Sequence, residues 1–523
     1  MMRRNSIIAV TTLSLMLLVS TGSVIGADVD GTVKLGGVLI DDEGNPGVNQ
    51  STFNTYEGVA LSLENFSYKF DNGARLFANL KNITMNNRNL RLSFRKAGQY
   101  GVSLHNSQYR RLYSEDGSQF TRRRLTGGDV WVKPTDYLKA YGGYDLTERY
   151  GDQTGLLGVL EEPRVDQIDY TNSSIHGGVT FEKDRRAVDA NYRVTSYTDD
   201  TGELSDRTSK RFRATVRTPV PRFDNVIVYG GFQSYCYRVD DSFDTLRANT
   251  GWFGGQAVLR NGFRLRGNFI WDRARRTGDL SASDNLATAF YVDKTWVRQG
   301  GVTVGYKHYL RDDVRDELAG NGYYFAGWYA PSAQLKFRAG YGAEQTDVNA
   351  GHTLVGDTER QREFASVRYA FRPGSQARLF VENNSRDNEE IGSSADYIRI
   401  GTDAVVVDAR YGEMTLAYSY LDGEYEYSEG KFSFRDHVLS GDVTLPEYRK
   451  VTLSGGGSYV RSLEDTDVES FQVRLKASFA LTEAQTLEFK YTAHNFDDLA
   501  DIAPPYTRYY TANIVEISIS SGL

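Results

Sequence analysis

The sequence is poor in the residues that build covalent or metal scaffolds. Cys236 is its one cysteine in 523 residues, which excludes an internal disulfide framework. Covalent haem is excluded as well, because it needs a Cys-x-x-Cys-His run. The six histidines, His105, His176, His308, His352, His437 and His494, are scattered with no pair at ligand spacing, and no metal centre is read from them. Asp436 and His437 are adjacent, so on a strand they face opposite sides and do not form an acid–base pair. The glycines of Gly455 to Gly457 are followed by no Lys-Ser/Thr and mark a strand bend, not a phosphate loop. With no nucleophile–base constellation in view, an enzyme is not expected. Nor do the residues point to nucleic acid.

Long apolar runs are also missing beyond the first residues. Arg3 and Arg4 precede a mostly apolar stretch, Ile7 to Val19, which is too short for a stable membrane helix. With Val24 and Gly26 before Ala27, residues 1–26 read as a secretory signal peptide and residues 27–523 as the mature chain. Proline is scarce at 10, against 51 Gly, a balance that suits many strands joined by tight turns.

What the chain has in quantity is alternation. In Phe471 to Leu481 the odd positions are Phe471, Val473, Leu475, Ala477, Phe479 and Leu481, while the even ones include Gln472, Arg474 and Lys476. Successive strand side chains point to opposite faces, so the segment has one apolar face and one cationic face. The unit recurs from about residue 30 to TANIVEISIS, 511–520. Short connections such as KPTD (133–136), KDRR (183–186) and RNG (260–262) take turns with long polar ones such as 148–173, 272–285 and 344–362. That segregation of loop length predicts a single all-β, transmembrane antiparallel β-barrel in the outer membrane, with short periplasmic turns and long extracellular loops. The count comes to about 26 strands, and an even number keeps both termini on one side. The 35 Tyr and 26 Phe are expected in aromatic girdles at the two lipid interfaces.

Strand parity assigns the faces. Leu90, Leu92 and Phe94, Phe212 and Val216, Leu265, Phe269 and Trp271, and Leu487, Phe489 and Tyr491 are expected toward lipid. Toward the lumen go Arg91, Arg95, Arg211, Arg213, Arg217, Arg264, Arg266, Lys336, Arg338, Arg368, Arg474, Lys476 and Lys490. Fewer acids share that face, namely Glu64, Glu182, Asp189, Glu382, Glu488 and Glu516. The net charge of −7 is therefore placed mainly in the loops, and the bore leans basic. A charged bore is ordinary solvation in some barrels and a field for anions or an acidic guest in others. At about 4.8 Å per strand and a tilt of about 40°, such a barrel is roughly 50 Å across. With no plug domain before the first strand, the bore is expected to hold either infolded loops, 148–173 and 344–362, or another protein.

Residues 30–145 carry a resemblance. A Gly-rich first strand (Gly31, Gly36, Gly37) leads to a Tyr-plus-Gly segment (Tyr56, Gly58) and a strand ending in a Gly turn (Gly73). A strand with an Asn/Arg bend (Arg88) and a Gly-x-Tyr hairpin (Gly98, Tyr100) follow. This layout resembles the MtrB/PioB family of decahaem-associated outer-membrane barrels. The Cys-x-x-Cys that some members carry near the N-terminus is absent here. The resemblance implies a scaffold that sheathes a multihaem c-type cytochrome, insulating an electron conduit from lipid. Its partners would be periplasmic and extracellular multihaem cytochromes, with haem in the partner and no cofactor on this chain. The residues themselves also leave open a passive diffusion porin with a basic, anion-leaning lumen.

Overall fold

The computed structural model describes residues 29–46, 54–113, 118–155, 164–202, 204–240, 245–277, 282–297, 299–313, 317–349, 357–388, 392–427, 430–498 and 509–523. The expected signal peptide, 1–26, lies outside the described residues. Twenty-six antiparallel strands, numbered β1 to β26 in chain order, each pair with their sequence neighbours. β1 (Val29–Gly44) closes the cylinder on β26 (Tyr509–Gly522), in register from Thr32 opposite Gly522 to Gly44 opposite Tyr510. Closure satisfies every edge hydrogen bond, the condition a sheet must meet to cross lipid.

The polypeptide has almost no conventional core. Its accessible surface is 33222 Å². A compact globule of this mass exposes roughly 19,000 Å². The buried apolar cluster is confined to Tyr510, Ala512 and Ile514, with Val38 and Ile40 against them, beside the closing seam. The apolar side chains are instead exposed and share one face: Leu104, Ile175, Phe253, Phe290, Tyr323 and Leu379 are each more than half exposed. In water that surface would drive aggregation, whereas in a bilayer it is the lipid-facing band.

Local irregularities preserve the in–out alternation. In β2 (Gly58–Lys69), Glu64 and Phe66 would share a face on a regular strand. The register slips between Leu63 and Phe66, and Asn65 takes φ 53°. This bulge turns Glu64 inward and Phe66 outward. The hairpin to β3 (Ala74–Lys81) turns at Gly73, φ 80°, whose amide donates to the Phe70 carbonyl. β3 and β4 (Asn89–Lys96) are only 8 residues each and leave the wall short at one end. Residues 54–56 and 82–88 patch it. The Arg110 amide donates to Asn54 Oδ1 (2.9 Å), Asn87 Nδ2 to the Asn54 carbonyl (3.1 Å), and the Arg110 guanidinium lies 4.1 Å over the Tyr56 ring.

Two expectations are corrected. The stretch 148–173 is largely strand, since β7 (Leu138–Gly155) and β8 (Arg164–Lys183) run far past the apolar belt. Likewise β17 (Leu335–Asn349) and β18 (Thr358–Arg372) consume most of 344–362, and β13 (Phe263–Thr277) and β14 (Ala282–Trp296) most of 272–285. Outside lipid both faces of a strand meet water, so apolar alternation ends while backbone pairing continues. The described parts of these long connections therefore raise the wall and do not fold into the bore.

Candidate functional site

Among the described residues, charged and polar side chains converge on the polar face of the wall, and register shows what stands on it. Arg91 pairs with Asn79 and His105, and Arg95 with Arg75 and Gly101. Arg211, Arg213 and Arg217 stand on one side of β10 (Arg207–Val220). Arg264 and Arg266 oppose Val258 and Gln256. Lys336 faces Arg368, which in turn faces Arg378 across β19 (Ser375–Asn388). Arg474 and Lys476 on β24 (Val468–Ala480) oppose Thr492 and Lys490 on β25 (Gln485–Asp498), and Lys490 opposes Glu516. Following the pairings around the cylinder places all thirteen of these cations on the face opposite the apolar belt.

Many are compensated locally. Glu488 is held between Lys34 (3.1 Å) and Lys476 (2.6 Å), a clamp that ties β25 to β1 across β26. Lys490 meets Glu516 at 2.7 Å, Arg474 meets Asp442 at 2.8 Å, and Arg266 grips Asp293 with both Nε (2.8 Å) and Nη2 (3.0 Å). Arg217 and Glu182 stand 3.9 Å apart. His105 and Asp145 (3.3 Å) and His176 and Asp129 (3.2 Å) pair across the glycines Gly127 and Gly143. Among the described residues no three His, Cys, Asp or Glu are grouped to hold a metal ion.

The aromatic residues hold a feature that parity alone did not reveal. Many rings lie on the lumen face, and several rest on a glycine of a neighbouring strand. Trp131 covers Gly101, Tyr141 covers Gly178, Trp252 covers Gly231, Trp328 covers Gly301, Phe364 covers Gly340 and Phe380 covers Gly401. A cation caps the exposed side of most of these rings. Lys139 sits 5.4 Å from Trp131, Arg213 5.1 Å from Trp252, Lys336 4.6 Å from Trp328 and Arg338 5.2 Å from Phe364. A glycine lacks the Cβ that would lift the ring, so the ring lies flat and keeps the bore wide. The cation above gains the quadrupole attraction of the ring, about 0.5–1 kcal/mol at an exposed site. The expectation that Tyr and Phe form interfacial girdles is thus corrected for Tyr141, Phe364 and Phe380.

Sequence reading also missed Lys34, Lys307, Arg360, Arg362, Arg378 and Arg399, which stand on the same face. Arg360 and Arg362 fall inside 344–362, which its polarity marks as a loop. Counting back by twos from Arg368 would have reached both.

Fold and wall together define a large barrel of the outer-membrane type. No family model and no curated protein matches the sequence. Solved barrels do resemble it. The siderophore receptor PirA from Pseudomonas aeruginosa superposes with TM-score 0.51 at 10% identity, over 82% of this chain and 81% of that one. A mutant ferric enterobactin receptor, PfeA, from the same organism in complex with enterobactin gives TM-score 0.53 at 9% identity, over 82% of each chain. At such identity the likeness speaks to fold alone.

Proposed function

We propose that this barrel is a sheath, a lipid-insulated tube that holds a protein guest across the outer membrane. What supports the reading is girth, with no plug among the described residues. Barrels of about 22 strands that act as transporters carry a plug in the lumen. Here 26 strands close, and the described residues are strands and their connections, with no second domain among them. Rings laid flat on glycine leave a smooth wall whose cations can meet an acidic guest. The layout shared with the MtrB/PioB barrels suggests a multihaem c-type cytochrome as the guest. The barrel would then supply insulation and position, and the guest all of the redox chemistry. Isolation of the tagged barrel from cells that make multihaem cytochromes tests this. Haem absorbance should co-elute with the barrel, and deleting the barrel should strand the haem protein in the periplasm. Barrel that never carries haem from such cells counts against the sheath.

A second reading is passage of anionic solutes, favoured by the cations that line the polar face of the wall. The solved barrels of like fold are named siderophore and ferric enterobactin receptors, so transport of an anionic solute is the form this reading takes. It predicts steady, anion-selective conductance of the purified barrel in planar bilayers; silence or cation selectivity would remove it.

A further inference from the structure

The lumen wall is not uniform. A recess of about 700 Å³ opens on the bore from β14 to β20 (Ser393–Asp408), passing β15 (Gly300–Asp313) and β16 (Glu317–Tyr329). Lys307, Arg338, Arg360, Arg362, Arg378 and Arg399 line it, against the carboxylates of Glu344 and Glu382. We propose that this recess is a binding site for clustered carboxylates.

Three observations carry the proposal. First, the acids present leave positive charge in excess. Glu382 takes Arg362 at 2.8 Å, and Asp403 takes Arg378 at 2.6 Å. Glu344 stands opposite Arg360 in register, yet among the described residues neither Arg360 nor Lys307 has an acid within ion-pairing distance. Elsewhere on the wall Glu516 and Asp293 each neutralise one cation, and Glu488 is shared by two. Second, the guanidinium groups are braced. Arg338 lies over Phe364, and Arg378 and Arg399 lie 5.0 and 5.5 Å from the centre of the Phe380 ring. Arg399 Nε also donates to Ser419 Oγ at 3.0 Å. Braced forks lose less freedom on meeting a carboxylate and can grip it with two parallel N–H donors. Third, the floor is open. A Cβ built on Gly322 or Gly342 would meet nothing closer than 3.6 and 3.7 Å. No ring lies near Gly322, and Gly342 meets only the edge of the Tyr324 ring, Cδ2 at 3.8 Å, whereas Phe364 and Phe380 press directly on Gly340 and Gly401 beside them. Between Lys307 on one side and Arg360 and Arg362 on the other, the two glycines are edged by Glu344 and Tyr324 and stacked under no ring face.

The carboxylates could be carried by a free polycarboxylate solute or by acidic side chains on a guest protein. The site stands under either reading of the barrel. The test uses the full-length barrel in detergent, with calorimetric titration of two probes, benzenehexacarboxylate and a hexaglutamate peptide. Heat-modifiable mobility on gels confirms that each variant is folded. Saturable binding should weaken on the order of a thousandfold in Arg338→Gln/Arg360→Gln/Arg362→Gln, at about tenfold per guanidinium lost. Removing the same charge at Arg211, Arg213 and Arg217, each to Gln, should change affinity by no more than about threefold, the effect of a distant charge in salt. Arg360→Lys keeps the charge but loses the fork, and should fall between wild type and Arg360→Gln. Binding of the small probe alone marks a solute site, and binding of the peptide marks a guest-docking site. Absence of saturable binding of both, or equal loss from the two triple variants, overturns the proposal. Haem co-elution without probe binding would leave the sheath standing and remove the recess.

Discussion

Gly101→Ala puts the ring-on-glycine arrangement under direct load. A Cβ at Gly101 would lie 2.5 Å from Trp131 Nε1 and 2.7 Å from Cε2. Carbon-scale contacts settle at about 3.5–4.0 Å, so the indole must rise by roughly 1 Å or tilt into the bore. The Gly101 backbone is ordinary strand, so the methyl itself is the perturbation. Overpacking of this size costs about 1–3 kcal/mol, and disturbing the Lys139 contact adds about 0.5–1 kcal/mol. The matched control is Gly37→Ala, where the new methyl meets nothing within 4 Å. Two assays read the result. Urea unfolding in detergent micelles should shift to a lower midpoint for Gly101→Ala and stay in place for Gly37→Ala. In a chain whose only tryptophan is Trp131, iodide should quench the lifted indole more strongly than the flat one. Identical midpoints and identical quenching would refute the claim that the glycine exists to seat the ring.

Other outcomes follow from the same wall. Glu488→Gln leaves Lys34 and Lys476 without their shared acid at the closing seam, and should lower stability by about 2 kcal/mol in the same urea assay. Phe290→Arg places a charge on the apolar face and should cost about 2–4 kcal/mol, whereas Ala289→Arg, one residue away on the lumen face, should be tolerated. At the turn after β20, the Arg410 amide (2.8 Å), with Arg372 Nη1 (2.6 Å) and the Tyr411 amide (3.3 Å), holds the Asp408 carboxyl below the usual carboxylate range. A depressed folded pKa means that this support is present above the unfolded value of about 3.9 and is lost as pH falls through the folded one. Wild type should therefore lose stability in acid more steeply than Asp408→Asn, measured by urea midpoints from neutral to acid pH.

How much of this was legible beforehand divides along physical lines. Parity was, because lipid demands an unbroken apolar face: Phe471 to Phe479 alternate in sequence as they do on β24. The strand number was legible for the same reason, since each crossing of the bilayer repeats the pattern. Strand ends were not. β7 and β8 continue beyond the apolar belt, where residues such as Glu148 and Asp169 keep the ladder without hydrophobic alternation. The patch over the short β3 and β4 was hidden because Asn54, Asn87 and Arg110 meet only through the fold. The seating of Trp252 on Gly231, or Phe364 on Gly340, depends on register between strands, which one strand read alone does not carry.

The alternation itself admits the most direct test. With Cys236 replaced by alanine, single cysteines placed one at a time from Phe471 to Ser478 in membrane-embedded barrel can be challenged with a membrane-impermeant maleimide. Gln472, Arg474, Lys476 and Ser478 positions should label from the aqueous bore, and Phe471, Val473, Leu475 and Ala477 positions should stay protected by lipid. Labelling that ignores parity along this strand would contradict a cylinder with an oily outside and a wet, cationic inside.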